Sequence, residues 1–347
     1  MNITTVGIDL AKLVFQVHGV DARGKVTLRK QLKRAQVITF FTQLSPCLIG
    51  MEACGGAHFW GRRLTELGHT VKLISPQFVK PYVKTNKNDA ADAEAICEAV
   101  GRPNMRFVPI KNTEQQALLG LHRARQGFVA ARTAQANQIR GLLAEFGLVI
   151  PAGIHYIERK LPEFLEDAEN GLSVASRALF ARLFEHFQVL ERQVDELERE
   201  INAWHREDSA SQRLQAIPGI GPLSASALVA SVGDASVFHN GRQFAAWLGL
   251  VPRQSSSGGK TNLLGISKRG DTYLRTLLIH GARSVLLSLK RHPDRAEGWL
   301  ARLAARRNPN IAAVALANKN ARTVWALLAH GRDYQDGYRS INSVTTA

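Results

Sequence analysis

The chain has 347 residues, 45% of them apolar, and a formal net charge of +16. That apolar share excludes a chain disordered throughout, and no apolar run approaches the ~20 residues needed to cross a bilayer. The charge points to a polyanionic partner, for which nucleic acid is the usual candidate.

The three cysteines, Cys47, Cys54 and Cys97, show no C-x-x-C spacing. They argue against a zinc site or a disulfide framework and fit a reducing, cytoplasmic setting. No basic stretch precedes an apolar one at the start, so no signal peptide is expected.

In chain order, short apolar runs predict strands at 6–9, 14–17, 26–32, 48–52, 71–74 and 105–110. Helices fit at about 35–44, 58–67 and 89–100. A meander of strands followed by βα units is α/β architecture. It is assigned to a first domain, 1–150, which ends in a helix at about 113–146. From Phe180 apolar residues recur at Leu183, Phe187, Leu190, Val194, Leu197, Ile201 and Trp204. Steps of three and four make a heptad seam, which predicts a coiled-coil linker over 151–208. Its partner is either the helix at 113–146 or a second chain. The strictness of the seam favours a second chain, hence a homo-oligomer.

An all-α part follows over 209–332, with helices expected at 224–232, 241–248, 271–289, 294–306 and 310–329. A polar loop interrupts it at 252–271. From Arg253 to Arg332 there are 15 Lys/Arg and 3 Asp/Glu. Solvated helix faces carry mixed signs, so a one-sided surplus favours nucleic-acid contact. Residues 333–347 lose the apolar period and read as a loose tail.

Four acids stand out. Asp9 and Glu52 end apolar runs that read as buried strands, a costly place for a charge without a positive neighbour. Asp89 and Asp92 lie three apart in an Ala-rich helix and share one face. Carboxylates converging from two strand ends and a helix can hold hard divalent cations, and two such ions can clamp the oxygens of a phosphoryl transfer. Glu94, two residues beyond Asp92, points away from that face and is the weaker candidate.

Two later segments could touch phosphate. Pro218-Gly219-Ile220-Gly221 between helices looks like a helix-hairpin-helix turn. Gly219 and Gly221 would let backbone N–H groups approach a phosphate, although a tight turn without a ligand has the same pattern. The run from Arg253 to Lys260 contains Ser255-Ser256-Ser257-Gly258-Gly259. It reads either as a flexible linker or as a serine nucleophile among cations, with Arg253, Lys260, Lys268 and Arg269 close by in sequence.

These motifs, in this order, resemble the DEDD transposases of the insertion-sequence "one-ten" family. The stretches are Val6-Gly7-Ile8-Asp9, Met51-Glu52-Ala53-Cys54-Gly55, Lys87-Asn88-Asp89-Ala90-Ala91-Asp92 and the turn at 218–221. The segment from Gly249 to Lys260, with Gly265 to Asp271, is similar to its "eleven-eleven" branch. The resemblance covers roughly 5–330. It implies a RuvC-like N-terminal domain of RNase H fold, a coiled-coil linker and a C-terminal transposase domain. It also implies Asp9, Glu52, Asp89 and Asp92 as ligands for Mg²⁺, with Mn²⁺ the alternative ion. The family's nucleophile, the serine before glycine, matches Ser257, with Ser256 as the fallback. The implied partners are donor and target DNA, an element-encoded bridge RNA and further copies of the chain, in a prokaryotic nucleoid. The competing reading is a RuvC-like Mg-dependent nuclease that hydrolyses DNA junctions without Ser257.

Overall fold

The computed structural model describes residues 3–83, 88–292 and 298–336. Lys87 of the third motif, residues 294–297 of one predicted helix and 337–347 of the predicted tail lie outside them. The chain divides into two compact units, Met1–Gln115 and Gln116–Ala347. The described structure is mixed α/β and mostly helical.

The first unit is built on six strands: β1 (Thr5–Leu10), β2 (Val14–Val20), β3 (Val26–Lys33), β4 (Leu48–Glu52), β5 (Thr70–Ile74) and β6 (Phe107–Val108). Their order in the sheet is β3-β2-β1-β4-β5-β6. β1–β2 and β2–β3 are antiparallel, β1–β4 and β4–β5 parallel, and β5–β6 antiparallel. The strand expected over 105–110 shrinks to two residues. On one face Val6 and Ile8 pack against α1 (Val37–Thr42) and α2 (Ala57–Glu66), with Phe41, Trp60 and Leu64 buried there. The short α3 (Pro76–Val79) follows β5. The other face carries α4 (Asp89–Val100).

Glycine decides how close α4 comes. A Cβ on Gly7 would stand 2.2 Å from the Ala93 carbonyl oxygen, and one on Gly50 2.8 Å from Val100 Cβ. With hydrogen in both places, α4 lies directly on β1 and β4.

The second unit contains α5 (Thr113–Ala144), which crosses the boundary, then α6 (His155–Glu166) and α7 (Val174–Glu207). Here the structure corrects the expected pairing of chains. Arg125 pairs with Glu198, Arg132 with Glu191 at 2.6 Å, and His186 with Gln135 at 2.7 Å. Rising numbers on α5 meet falling numbers on α7, so the two form an antiparallel hairpin within one chain. Phe180, Phe187, Leu190, Val194 and Ile201 of the seam are buried. Phe180 and Phe187 share a cluster with Ala136, Ile139 and Leu143 of α5 and with Ile157 and Leu161 of α6. Each such side chain gains roughly 1.5–3 kcal/mol by burial, which the intrachain contact already supplies.

The remaining helices are α8 (Ser209–Gln215), α9 (Pro222–Val232), α10 (Gly241–Trp247), α11 (Thr272–Arg291), α12 (Gly298–Arg306) and α13 (Pro309–His330). They surround a core that includes Leu228, Phe244, Leu274, Leu278 and Val324. The segment expected as a loop at 252–271 contains a hairpin of β7 (Pro252–Gln254) and β8 (Leu263–Ile266).

A buried polar node ties α5 to α9 and α11. His122 is buried, with Nδ1 3.0 Å from the Tyr273 hydroxyl and Nε2 3.1 Å from Ser226 Oγ. Burial, then the charge of Arg125, pushes its pKa down to about 4. The unfolded chain therefore takes up a proton near pH 6.5 that the folded chain refuses until about pH 4. Stability from this group is present above pH 6.5 and is lost as pH falls. Between pH 7 and 5 the loss should be about 2 kcal/mol. Urea denaturation of His122→Gln beside the parent checks this. Equal pH dependence in the two proteins would refute it.

Candidate active site

The acids are positioned by strand register and by the start of α4. Ile8 pairs with Met51 in the parallel β1–β4 ladder, so Asp9 and Glu52 follow on neighbouring strands at their C-terminal ends. Gly7 and Gly50, two residues before them, contact α4, and side chains two apart share a face. Both acids therefore point to the α4 side. Asn88 caps α4, its side chain accepting from the Ala90 N–H at 3.0 Å. That leaves Asp89 and Asp92 in the first turn, where the positive end of the helix favours anions.

One ligand oxygen from each of Asp9, Asp89 and Asp92 lies within 4.8 Å of the others. Glu52 does not join the group at that distance. It stands beside Asp9 on the next strand. Glu94 is also outside the group and faces Arg29 at 3.6 Å. Three carboxylates this close repel one another. An all-oxygen anionic donor set of this kind fits a hard divalent cation. Asp9 and Asp92 are half-buried and Asp89 is exposed, so the cluster opens to solvent.

The serine segment belongs to the second unit. Lys260 N–H donates to the Ser257 carbonyl at 3.0 Å, with Gly258 at φ 54° and Gly259 at φ 77°. Two central residues with positive φ make a type I′ turn, the tight turn that suits a twisted hairpin. Ser257 thus sits at the hairpin tip and is exposed. Its hydroxyl has no hydrogen-bond partner among the described residues. Ser256 differs, since Gln254 Nε2 donates to its Oγ at 2.9 Å. Arg253, Lys260, Lys268 and Arg269 are all exposed and form no ion pair among the described residues.

The hairpin base is fixed. A Cβ on Gly249 would lie 2.0 Å from the Arg269 carbonyl oxygen, and one on Gly270 1.8 Å from that of Trp247. Buried Arg275 donates to the Leu248 and Arg269 carbonyls, each at 3.1 Å. The tip is free while its root is clamped to the helical core.

The Pro218–Gly221 turn joins α8 and α9, as the sequence predicts. Gly219 has φ 88°, and a Cβ on it would lie 2.8 Å from the carbonyl oxygen of Gly281 in α11. Gly219 is thus required by packing. Gly221 faces open space at the start of α9. Sequence reasoning singled out neither Gly281 nor Arg275, whose partners are far away in the chain.

The sequence model described as the transposase of the IS110 DEDD type matches residues 6–147. That of the transposase IS116/IS110/IS902 family matches residues 211–297. A probable family 20 transposase of Pseudomonas aeruginosa is 56% identical over 97% of this chain and 100% of its own length. The transposase for insertion sequence element IS1111A of Coxiella burnetii is 46% identical over 97% and 92%. That for IS1328 of Yersinia enterocolitica is 45% identical over 95% and 98%. The DEDD match suggests a nuclease-like transposase domain with divalent-metal dependence, and the three converging carboxylates offer an acidic cluster for such an ion. The chain belongs to the IS110/IS1111 family of DEDD transposases, and its activity is that of a DNA transposase. No helix among the described residues is long and apolar enough to cross a membrane.

Proposed function

We propose that the protein is an RNA-guided recombinase that cuts and rejoins DNA through a phosphoserine at Ser257. The observation that carries this is the hairpin tip: an exposed serine hydroxyl with no hydrogen-bond partner among the described residues, and Arg253, Lys260, Lys268 and Arg269 nearby in sequence, in no ion pair among those residues. Ser257 Oγ attacks a phosphodiester and loses its proton. The bond to the 3′-oxygen breaks, that oxygen is protonated, and the phosphate stays on the serine. The freed 3′-hydroxyl of one duplex then attacks the phosphoserine of the other, which rejoins the strand and returns the serine. Cationic side chains beside the phosphate stabilise the charge that develops on its oxygens.

Asp9, Asp89 and Asp92, with Glu52 beside Asp9, would hold Mg²⁺, or Mn²⁺ in its place. Bound there, the ion supplies a Lewis acid for phosphate oxygens. The strand order β3-β2-β1-β4-β5 supports a RuvC-like, RNase H-type reading of the first unit. Gly221 and the basic C-terminal part serve DNA backbone contact. Base pairing with an element-encoded RNA supplies sequence choice, as the family resemblance implies. Two duplexes must be cut and exchanged, so several copies act together, through contacts other than the seam of α7.

The test is exchange between two duplexes by purified protein with RNA transcribed from the element's flank. Sequenced junctions should be recombinant and should change when the guide bases change. Junctions indifferent to the RNA remove the guidance. Cut ends without rejoining would replace the whole reading by a hydrolytic nuclease.

A further inference from the structure

A groove beside the acids is used by none of this chemistry. It lies between β2–β3 and the first half of α4 and encloses about 340 Å³. Strand register sets its floor. Asp9 pairs with Gln16, and Gln16 with Gln31. One step along, Gly7 pairs with His18, and His18 with Arg29. Directly paired residues point to the same face, and Gly7 lies against α4. Gln16, Gln31, His18 and Arg29 therefore all face α4, as the Arg29–Glu94 pair across the groove confirms. The wall offered by α4 is Ala90, Ala91 and Ala93, small side chains that leave the space open.

The groove leads from the acids in one direction. Through Gly7 and Gly50, α4 is pressed onto β1 and β4, which closes that side. The open side lies over β2 and β3. Gln16 is one strand from Asp9, about 5 Å, and Gln31 two strands, about 10 Å. Gln16 is half-buried, and its amide has no hydrogen-bond partner among the described residues. An amide offers both donor and acceptor, and an alanine wall accepts a flat base or a sugar. His18 is buried beneath them, and burial holds it below the ordinary histidine range.

We propose that this groove holds the DNA strand on one side of the phosphodiester at the acids. Gln16 and Gln31 bond the sugar–base part of the flanking nucleotide, and Arg29 lies within reach of its phosphate. The inference rests on the reading of Asp9, Asp89 and Asp92 as the reacting centre. Gln16 and Gln31 are positioning residues. They carry no charge and so add affinity without adding to counterion release.

The test is binding of a short labelled single-stranded DNA to the full chain, followed by anisotropy at raised salt, where the basic C-terminal part contributes least. Gln16→Leu and Gln31→Ala should each weaken binding about tenfold. The slope of log affinity against log salt should stay the same in both. Gln31 is exposed, so its variant folds even if Gln16→Leu does not. Glu94→Gln should act the other way, since it frees Arg29 for a phosphate. Binding should tighten and the slope should steepen by about 0.7. A gain of this kind cannot come from misfolding. Wild-type affinity in Gln31→Ala together with no gain in Glu94→Gln overturns the proposal, as does a loss confined to RNA of the same sequence. The thermal shift produced by Mg²⁺ in Gln31→Ala separates the two readings. A shift that is absent from parent and variant alike sinks the metal site and leaves the groove to be judged on binding alone.

Discussion

Asp9→Asn should abolish strand exchange while the fold remains. Asn keeps the shape of Asp but offers a neutral oxygen where the site presents a charged one, so the remaining acids hold a hard cation weakly. Loss of the charge that stabilises phosphate oxygens in the transition state should lower the rate by on the order of 10²–10³. A second readout needs no DNA. The ligand oxygens of Asp9, Asp89 and Asp92 lie within 4.8 Å of one another, so in the absence of divalent ion each raises the energy of the others. Metal-free Asp92→Asn should accordingly melt at or above the parent. With Mg²⁺ the order should invert, because only the full set gains free energy from binding the ion. Calorimetric melts with and without MgCl₂ read this directly. Exchange at the parent rate in Asp9→Asn would rule out the metal site.

The acids were legible in the sequence because each ends or begins an element whose period is plain. Val6-Gly7-Ile8-Asp9 and Leu48-Ile49-Gly50-Met51-Glu52 are short apolar runs, and Asn88 before an Ala-rich stretch is a cap. Which three acids converge was not legible. That depends on how far α4 descends, which Gly7 and Gly50 decide through contacts some fifty to ninety residues away in the chain. The groove at Gln16 was invisible for the same reason, since a lone glutamine in a strand has no pattern and its neighbours come from register. The seam of α7 was legible as a period but not as a partnership. An a/d stripe is the same whether it meets a second chain or α5, and it takes the contacts Arg125–Glu198, Arg132–Glu191 and His186–Gln135 to reveal which. The hairpin of β7 and β8 was missed because its strands have only three and four residues, the first polar and the second, Leu263 to Ile266, an apolar run too short to stand out. Gly258-Gly259 was the available signal, but it lacked the alternating apolar flanks that normally accompany it.

Ser257→Ala should leave no protein covalently attached to DNA, whereas Ser256→Ala should still form the adduct. The two serines differ in what holds them. Ser256 Oγ accepts from Gln254 Nε2 at 2.9 Å, while Ser257 stands at the turn with no hydrogen-bond partner for its hydroxyl among the described residues. A serine hydroxyl is a weak nucleophile at neutral pH and reacts when nearby positive charge stabilises its alkoxide. The turn serves that end, because Gly258 and Gly259 at positive φ reverse the chain and set Lys260 opposite Ser257 in the hairpin. Neither serine packs in a core, so both variants should fold and melt like the parent. The assay uses end-labelled duplex, quenches in denaturant and looks for a shifted band that protease removes. An adduct that persists in Ser257→Ala and vanishes in Ser256→Ala moves the nucleophile back by one residue, which would require Gln254 to release its bond. Failure of the parent to form any adduct, with nicked DNA accumulating instead, leaves water as the attacking group and the hairpin as a DNA-contacting arm.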